Sequence, residues 1–247
     1  MNPVEVVRGW LCRTLLRMRG DQFTSRRAIE FYFNTIGRLM RLNYYRYRYL
    51  TPPRPPIRVH VGSGPKYIPS FVNIEGLIVW KADIRLDLRA GLPFKDNAAD
   101  VVYCCHVLEH FDIGRVARLL GEFHRVLRPG GGLRIVVPDL ERAVAAYASG
   151  AAPDADMKHS RFGEFRSRGA VFNWKTLCDN NHPVMLDYSF LAELLERTGR
   201  WDRVARSSAG ESAVLAPGQL EAAEGDRRDL IAESLVVEGF KVYKAHA

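Results

Sequence analysis

Paired cysteine motifs are missing from this chain. Its four cysteines stand at 12, 104, 105 and 178, with no Cys-x-x-Cys among them. That pattern excludes a disulfide framework and a zinc ribbon, and no metal site is expected. Cys104 and Cys105 fall in an apolar run, where a thiol acts as a small hydrophobe. No apolar run approaches the ~20 residues of a membrane-spanning helix. The apolar stretch at the N-terminus is broken by Arg8, Arg13, Arg17 and Arg19, and no small-residue cleavage site follows. It does not read as a secretory signal. Lysine is absent from residues 1–58, which hold twelve arginines against three acids, a net +9. The whole chain carries +8, so the remainder is close to −1. The basic character belongs to an N-terminal appendage. A reducing, cytoplasmic setting is expected, with the appendage able to lie against the inner face of a membrane.

What is present is ordinary globular material, 47% hydrophobic and 26% charged over 247 residues, enough for one large core and an appendage. The spacing predicts helices over 3–19 and about 24–50, the second with Thr24 or Ser25 as its N-cap. Ile29, Phe33, Ile36, Met40 and Tyr47 recur at near-helical spacing, with arginines between them. Tyr44, Tyr45, Tyr47 and Tyr49 alternate with Arg46 and Arg48. Such a helix is read three ways: a cover with a solvated basic face, a surface for anionic lipid headgroups or lipid-linked substrates, or a nucleic-acid clamp. Thr51–Pro56, TPPRPP, is a stiff linker that delivers the chain into the body. The organisation is therefore a basic helical extension over 1–50, a Pro-rich linker over 51–56 and a domain over 57–247.

The domain opens on IRVHVGSGP, Ile57–Pro65. A β-branched run ending in Gly62, Ser63 and Gly64 reads as a first strand and a tight turn. Gly-x-Gly at a strand end lets the backbone bend sharply and approach a ligand. Strands are expected at Phe71–Glu75, Asp83–Leu88, Ala99–Cys105 and Leu133–Val137. A helix is expected over Ile113–Leu127, stopped by Pro129–Gly130–Gly131–Gly132. The near-continuous apolar run at 99–105 marks a strand buried on both faces. Residues 150–186 read as an insertion over the sheet's carboxyl edge, where ligands bind in such folds. A helix carrying Leu191, Leu194 and Leu195 follows, stopping near Gly199. Trp201–Ser207 and Ser234–Tyr243 read as closing strands, and Ala209–Asp229 as a loop. The fold class is α/β, a Rossmann-like doubly wound, mainly parallel sheet with an N-terminal helical extension.

VGSGP at 61–65, NIE at 73–75, DL at 87–88, LPF at 92–94, HVLEH at 106–110, RVLRPGG at 125–131 and VPDL at 137–140 follow in order. This succession resembles a class I S-adenosylmethionine-dependent methyltransferase of the type 11 group. The resemblance covers about Arg58–Val137. It implies S-adenosylmethionine as cofactor. Gly62, Ser63 and Gly64 would meet its methionine part, Glu75 its ribose hydroxyls, Asp87 and the backbone of Leu88 its adenine, and His106 the methionine side. Asp87 also reads as a turn cap and Glu75 as a solvated strand end. The pattern departs from the group at His60, where an acid is frequent, and at Pro65 and Lys66, where a third glycine is missing. Tyr67 stands where a nicotinamide fingerprint wants glycine.

Methyl transfer from a sulfonium mainly requires alignment and exclusion of water. A base is needed where the acceptor holds a proton. His182 and His110 are the candidate catalytic residues. His110 also reads as a structural residue, with Glu109 complementing the N-terminus of the following helix. His124 and His159 read as surface residues. The run from Asn173 through His182 to Leu195 is similar to methyltransferases of cell-surface glycan assembly. That implies O-methylation of a sugar on a lipid-linked or nucleotide-linked precursor. An RNA methyltransferase with a basic clamp and a non-catalytic methyltransferase-like scaffold are the rival readings.

Overall fold

The computed structural model describes residues 26–50, 52–78, 80–150, 157–159, 163–165, 167–177 and 182–242. The helix expected over 3–19, the cap at Thr24 or Ser25, Cys12 and Cys178 lie outside them.

A seven-stranded sheet organises the chain. Its strands are β1 (Arg58–Val61), β2 (Val72–Glu75), β3 (Ile84–Arg85), β4 (Ala99–Cys105), β5 (Leu127–Pro138), β8 (Trp201–Ser207) and β9 (Ser234–Lys241). The order is β3-β2-β1-β4-β5-β9-β8, with β6 (Met157–His159) and β7 (Gly163–Phe165) forming a separate antiparallel pair. Strands β1 to β5 are parallel, and β9 enters antiparallel between β5 and β8. The chain runs outward from β1 to β3 and then returns to lay β4 on the other side of β1. That reversal makes the crevice between the β1 and β4 ends the place where a doubly wound sheet binds its ligand.

Period-2 alternation divides the strands between two cores. From β4, Val102 and Cys104 join one core, while Val101, Tyr103 and Cys105 join the other. Both faces are covered, which accounts for the unbroken apolar run. On the first face, α2 (Ile113–Val126) buries Val116, Leu119, Leu120, Phe123 and Val126. Beside it α5 (Tyr188–Thr198) buries Leu191, Leu194 and Leu195. Asp112 and Asp187 cap these helices, accepting from Arg115 N–H at 3.0 Å and Phe190 N–H at 2.8 Å.

Three sequence expectations are corrected. The segment 209–229 is not a loop. It holds α6 (Pro217–Glu224), with α7 (Arg228–Ala232) running on from it, and Leu220, Ala223 and Ile231 cover the second core. Pro217 sits at the first helical position, where its missing N–H costs nothing. The strand expected over Asp83–Leu88 is only Ile84–Arg85, because Asp87 turns the chain into a 3₁₀ turn. Strand β5 begins already at Leu127, since Leu127 pairs with Ala99 before the glycines. Helix α3 (Leu140–Ala148), capped by Asp139, has no counterpart in the sequence reading. The 150–186 segment includes β6, β7 and α4 (Arg168–Leu177).

The extension docks on the body. Helix α1 (Arg26–Tyr45), continued by a π-helical turn (Arg46–Leu50), lies over the ends of β2 and β3. Tyr32 Oη donates to Gly76 O at 3.0 Å, and Asn43 Nδ2 to Arg85 O at 2.8 Å. Tyr47 Oη donates to Asp83 O at 3.2 Å, and the Arg48 guanidinium reaches Phe94 O and Asp96. Among the described residues no helix is long and apolar enough to cross a membrane.

The second face carries a buried charge cluster. Arg134 of β5 is wholly buried and pairs with Glu224 and Glu238, each at 2.8 Å. Removing the arginine would strand two buried carboxylates. Arg134→Met is expected to cost about 3–5 kcal/mol, read as a lower midpoint of urea unfolding. A variant of wild-type stability would mean that the cost of burying the cluster cancels its attraction.

Candidate active site

The glycine turn follows β1 at the crevice. Gly62 and Gly64 have φ of +62° and +52°. A Cβ on Gly62 would meet Val107 at 2.5 Å, so both conformation and space demand glycine there. A Cβ on Gly64 would meet nothing within 4 Å; it would enter open space. A cleft of about 360 Å³ occupies that side, lined by Gly62, Gly64, Glu75, Leu77, Trp80, Asp87, Leu88, His106, Val107 and His110, among others. This is within the size range of small-molecule sites, ~300–1,000 Å³. The structure thus brings together six of the seven residues expected to bind cofactor. Ser63 is the exception: its side chain is buried, and its N–H is donated to Ile74 O at 2.9 Å.

Glu75 ties the turn down. Its carboxylate accepts from Gly64 N–H and Leu77 N–H, both at 2.7 Å. Each oxygen keeps a lone pair for a ribose hydroxyl, since a carboxylate offers about four acceptor positions. Asp87 is more committed. It caps the 3₁₀ turn, accepting from Arg89 N–H at 3.0 Å, and it takes Arg89 Nε on both oxygens. A Cβ on Gly37 of α1 would lie 2.9 Å from Asp87 Oδ2. The turn-cap reading of Asp87 therefore holds, and donation from an adenine amino group requires Arg89 to swing aside.

His106 stands just beyond β4 with φ of +54°. Both ring nitrogens are engaged: Nδ1 lies 3.0 Å from Glu109 Oε1 and Nε2 lies 3.0 Å from Ser234 Oγ. The expected helix-end role of Glu109 is corrected. It is buried in a 3₁₀ turn (Leu108–His110), and α2 starts later, behind Asp112. His110 and His182 are brought into contact, ring centroids 4.9 Å apart and nearly perpendicular. Burial holds His182 below the ordinary histidine value against the attraction of Glu109. His124 is half-buried and accepts from Arg200 N–H at 3.1 Å, so it is not a free surface residue. The side chain of His159 lies outside the described ones.

His60, which replaces the frequent acid, faces the second core and not the cleft. It packs between Phe71 and Tyr103, with Nδ1 3.1 Å from Asn73 Oδ1.

Residues 74–135 match the profile of the methyltransferase domain family, described as "Methyltransferase domain". That match supports a class I S-adenosylmethionine-dependent methyltransferase. The match runs from β2 into β5 and leaves the glycine turn outside it. No curated protein matches the chain. Among solved structures, the chain is similar to an S-adenosylmethionine-dependent methyltransferase from Archaeoglobus fulgidus, at 12% identity over 93% of this chain and 99% of that one, TM-score 0.45. It is similar to one from Mesorhizobium loti at 17% identity over 75% and 90%, TM-score 0.40. A possible histamine N-methyltransferase from Thermotoga maritima aligns at 16% identity over 85% and 96%, TM-score 0.47.

The residues of the methyltransferase cleft fit S-adenosylmethionine: an open cradle at Gly64, an acid beside it and an apolar wall at Leu77, Trp80 and Leu88. Glu75→Ala should weaken binding of S-adenosylhomocysteine by at least tenfold in a calorimetric titration, about 1.4 kcal/mol. Asp87→Ala should cost less, because its carboxylate already serves Arg89. The reverse order would mean that Asp87 is the main anchor.

His60 gives the methyltransferase a pH signature. Burial lowers its pKa to about 4, from 6.5. Below the ordinary value the unfolded chain takes up a proton that the folded chain refuses, so stability falls as pH drops towards the folded pKa. The contribution is roughly 3 kcal/mol. Urea midpoints measured from pH 7 to pH 4 should fall less steeply in His60→Gln than in the wild type. Superimposable curves would place the loss elsewhere.

Proposed function

We propose that the domain methylates a hydroxyl of a phosphate-bearing glycan precursor, lipid-linked or nucleotide-linked. The observation that supports this reading best is a second cleft, of about 530 Å³, that adjoins the cofactor cleft and shares Asp87, Leu88, Arg89, Phe111 and Arg115 with it. Arg41, Arg89, Arg115 and Arg118 line it. Arg41 and Arg118 are exposed and have no ion pair among the described residues. A phosphate or diphosphate suits such a cluster, since a guanidinium offers paired donors to its oxygens. Leu42, Tyr45, Tyr49 and Leu50 are exposed on the extension beside Arg41 and Arg46, which fits presentation of the acceptor at an anionic membrane surface.

Bound in its cleft, S-adenosylmethionine supplies a methyl group on a positively charged sulfur. Glu75 and the glycine turn fix the donor's position. Phe111 and Arg115 line both clefts and mark the path between them. His110 lines the donor cleft, His182 packs against it, and in this reading both meet the acceptor hydroxyl.

The test is incubation with labelled S-adenosylmethionine and separate pools: nucleotide-linked sugars, lipid-linked precursors in anionic vesicles, and RNA. Label is expected in a sugar-containing pool and should drop at least tenfold in Arg41→Ala/Arg118→Ala. Label confined to RNA would overturn the glycan reading, and failure to bind the cofactor would favour the scaffold reading.

A further inference from the structure

Glu109 and His110 are neighbours in sequence and His182 lies far downstream, yet one donor atom from each lies within 4.8 Å of the others. Two observations set this group apart from an accidental cluster. Glu109 is 1% exposed, and its Oε2 has no hydrogen-bond partner among the described residues while Oε1 serves His106. A buried carboxylate oxygen without a partner calls for a cation or a donor. His182 has Nδ1 3.2 Å from Thr176 O. Because a carbonyl can only accept, Nδ1 carries the proton and Nε2 keeps its lone pair. A ring nitrogen that donates to a backbone carbonyl, leaving the other bare, is the usual outer support of a metal-bound histidine.

We propose that Glu109, His110 and His182 form a site for a divalent first-row transition cation at the edge of the cofactor cleft. Two imidazoles and one carboxylate suit Zn²⁺, Fe²⁺, Co²⁺ or Mn²⁺ and leave open positions on the cation. Ligand bonds of ~2.0–2.2 Å place donor atoms roughly 3–4 Å apart, so the three close by about an ångström on binding. His110 borders the cofactor cleft, which puts the open positions on its side. The site stands on this geometry alone; its role rests on the hydroxyl-methylation reading. In that role the acceptor hydroxyl enters an open position and its proton is released to water, because a bound cation lowers the pKa of a coordinated oxygen. The oxygen then bonds to the methyl carbon. The carbon–sulfur bond breaks, and its electron pair stays on sulfur, leaving a neutral thioether and a methyl ether.

The experiment is a titration of the full chain, stripped with chelator, with Co²⁺ followed by its visible spectrum and with Zn²⁺ by calorimetry. S-adenosylhomocysteine binding and thermal melts are measured on the same samples. One equivalent is expected. His110→Ala and His182→Ala should each weaken it at least tenfold with the thermal melt of the metal-free protein retained, and His124→Ala should leave it unchanged. No binding by the wild type, or binding indifferent to both substitutions, would overturn the site. Loss of S-adenosylhomocysteine binding in the wild type would instead strike the cofactor reading, and the cobalt titration would stand by itself.

Discussion

The Glu75 carboxylate is the interaction on which the crevice depends. It sits at the end of β2 and holds the amides of Gly64 and Leu77. One side chain thereby fixes the turn after β1 and the turn after β2, the two loops that frame the cofactor cleft. The turn after β1 is too short to carry a helix, so it lacks the helix N-terminus that steadies a longer glycine loop. A charge-assisted bond from a buried acid takes over that work.

Behind the turn, Asn73, two residues before Glu75 in the same strand, does the corresponding work. Its amide donates to Ile68 O, Phe71 O and Asp83, and its oxygen accepts from Ile68 N–H at 2.9 Å. Since the oxygen is an acceptor, His60 Nδ1 must bring the proton to it. The histidine at the departing position is thus part of the scaffold under the loop. Its neutrality follows from its burial, and it contributes no charge to the cleft.

The parts legible in sequence are those where one physical demand dominates. The two-faced burial of β4, the single apolar stripes of α2 and α5, and the forced conformation of Gly62 all leave period or composition behind. Other features answer to tertiary context. Helices α6 and α7 bury only a few residues, and their proline and glycines mimic loop composition. Helix α3 has four alanines among its nine residues and buries none of them, so no stripe marks it. Glu109 looked like a helix-end acid because neither the 3₁₀ turn that holds it nor its nearness to His182, remote in sequence, leaves a mark in the local pattern. The double duty of Asp87 is invisible without Arg89 in place.

Strand order has a consequence for how the chain is assembled. Strand β8 has no neighbour in the sheet except β9, yet it is made first. As the chain emerges from the ribosome, β5 is therefore a bare sheet edge until β9 slides in beside it. Arg134 sits midway along that edge, and its two acidic partners come from segments that follow. Until they arrive, its charge keeps the edge wet and unattractive to another nascent strand. Once they arrive, the charge is cancelled and the edge is sealed. The buried ion cluster thus works first as a guard against premature pairing and afterwards as a check on register, because a one-residue slip of β9 would carry Glu238 to the wrong face.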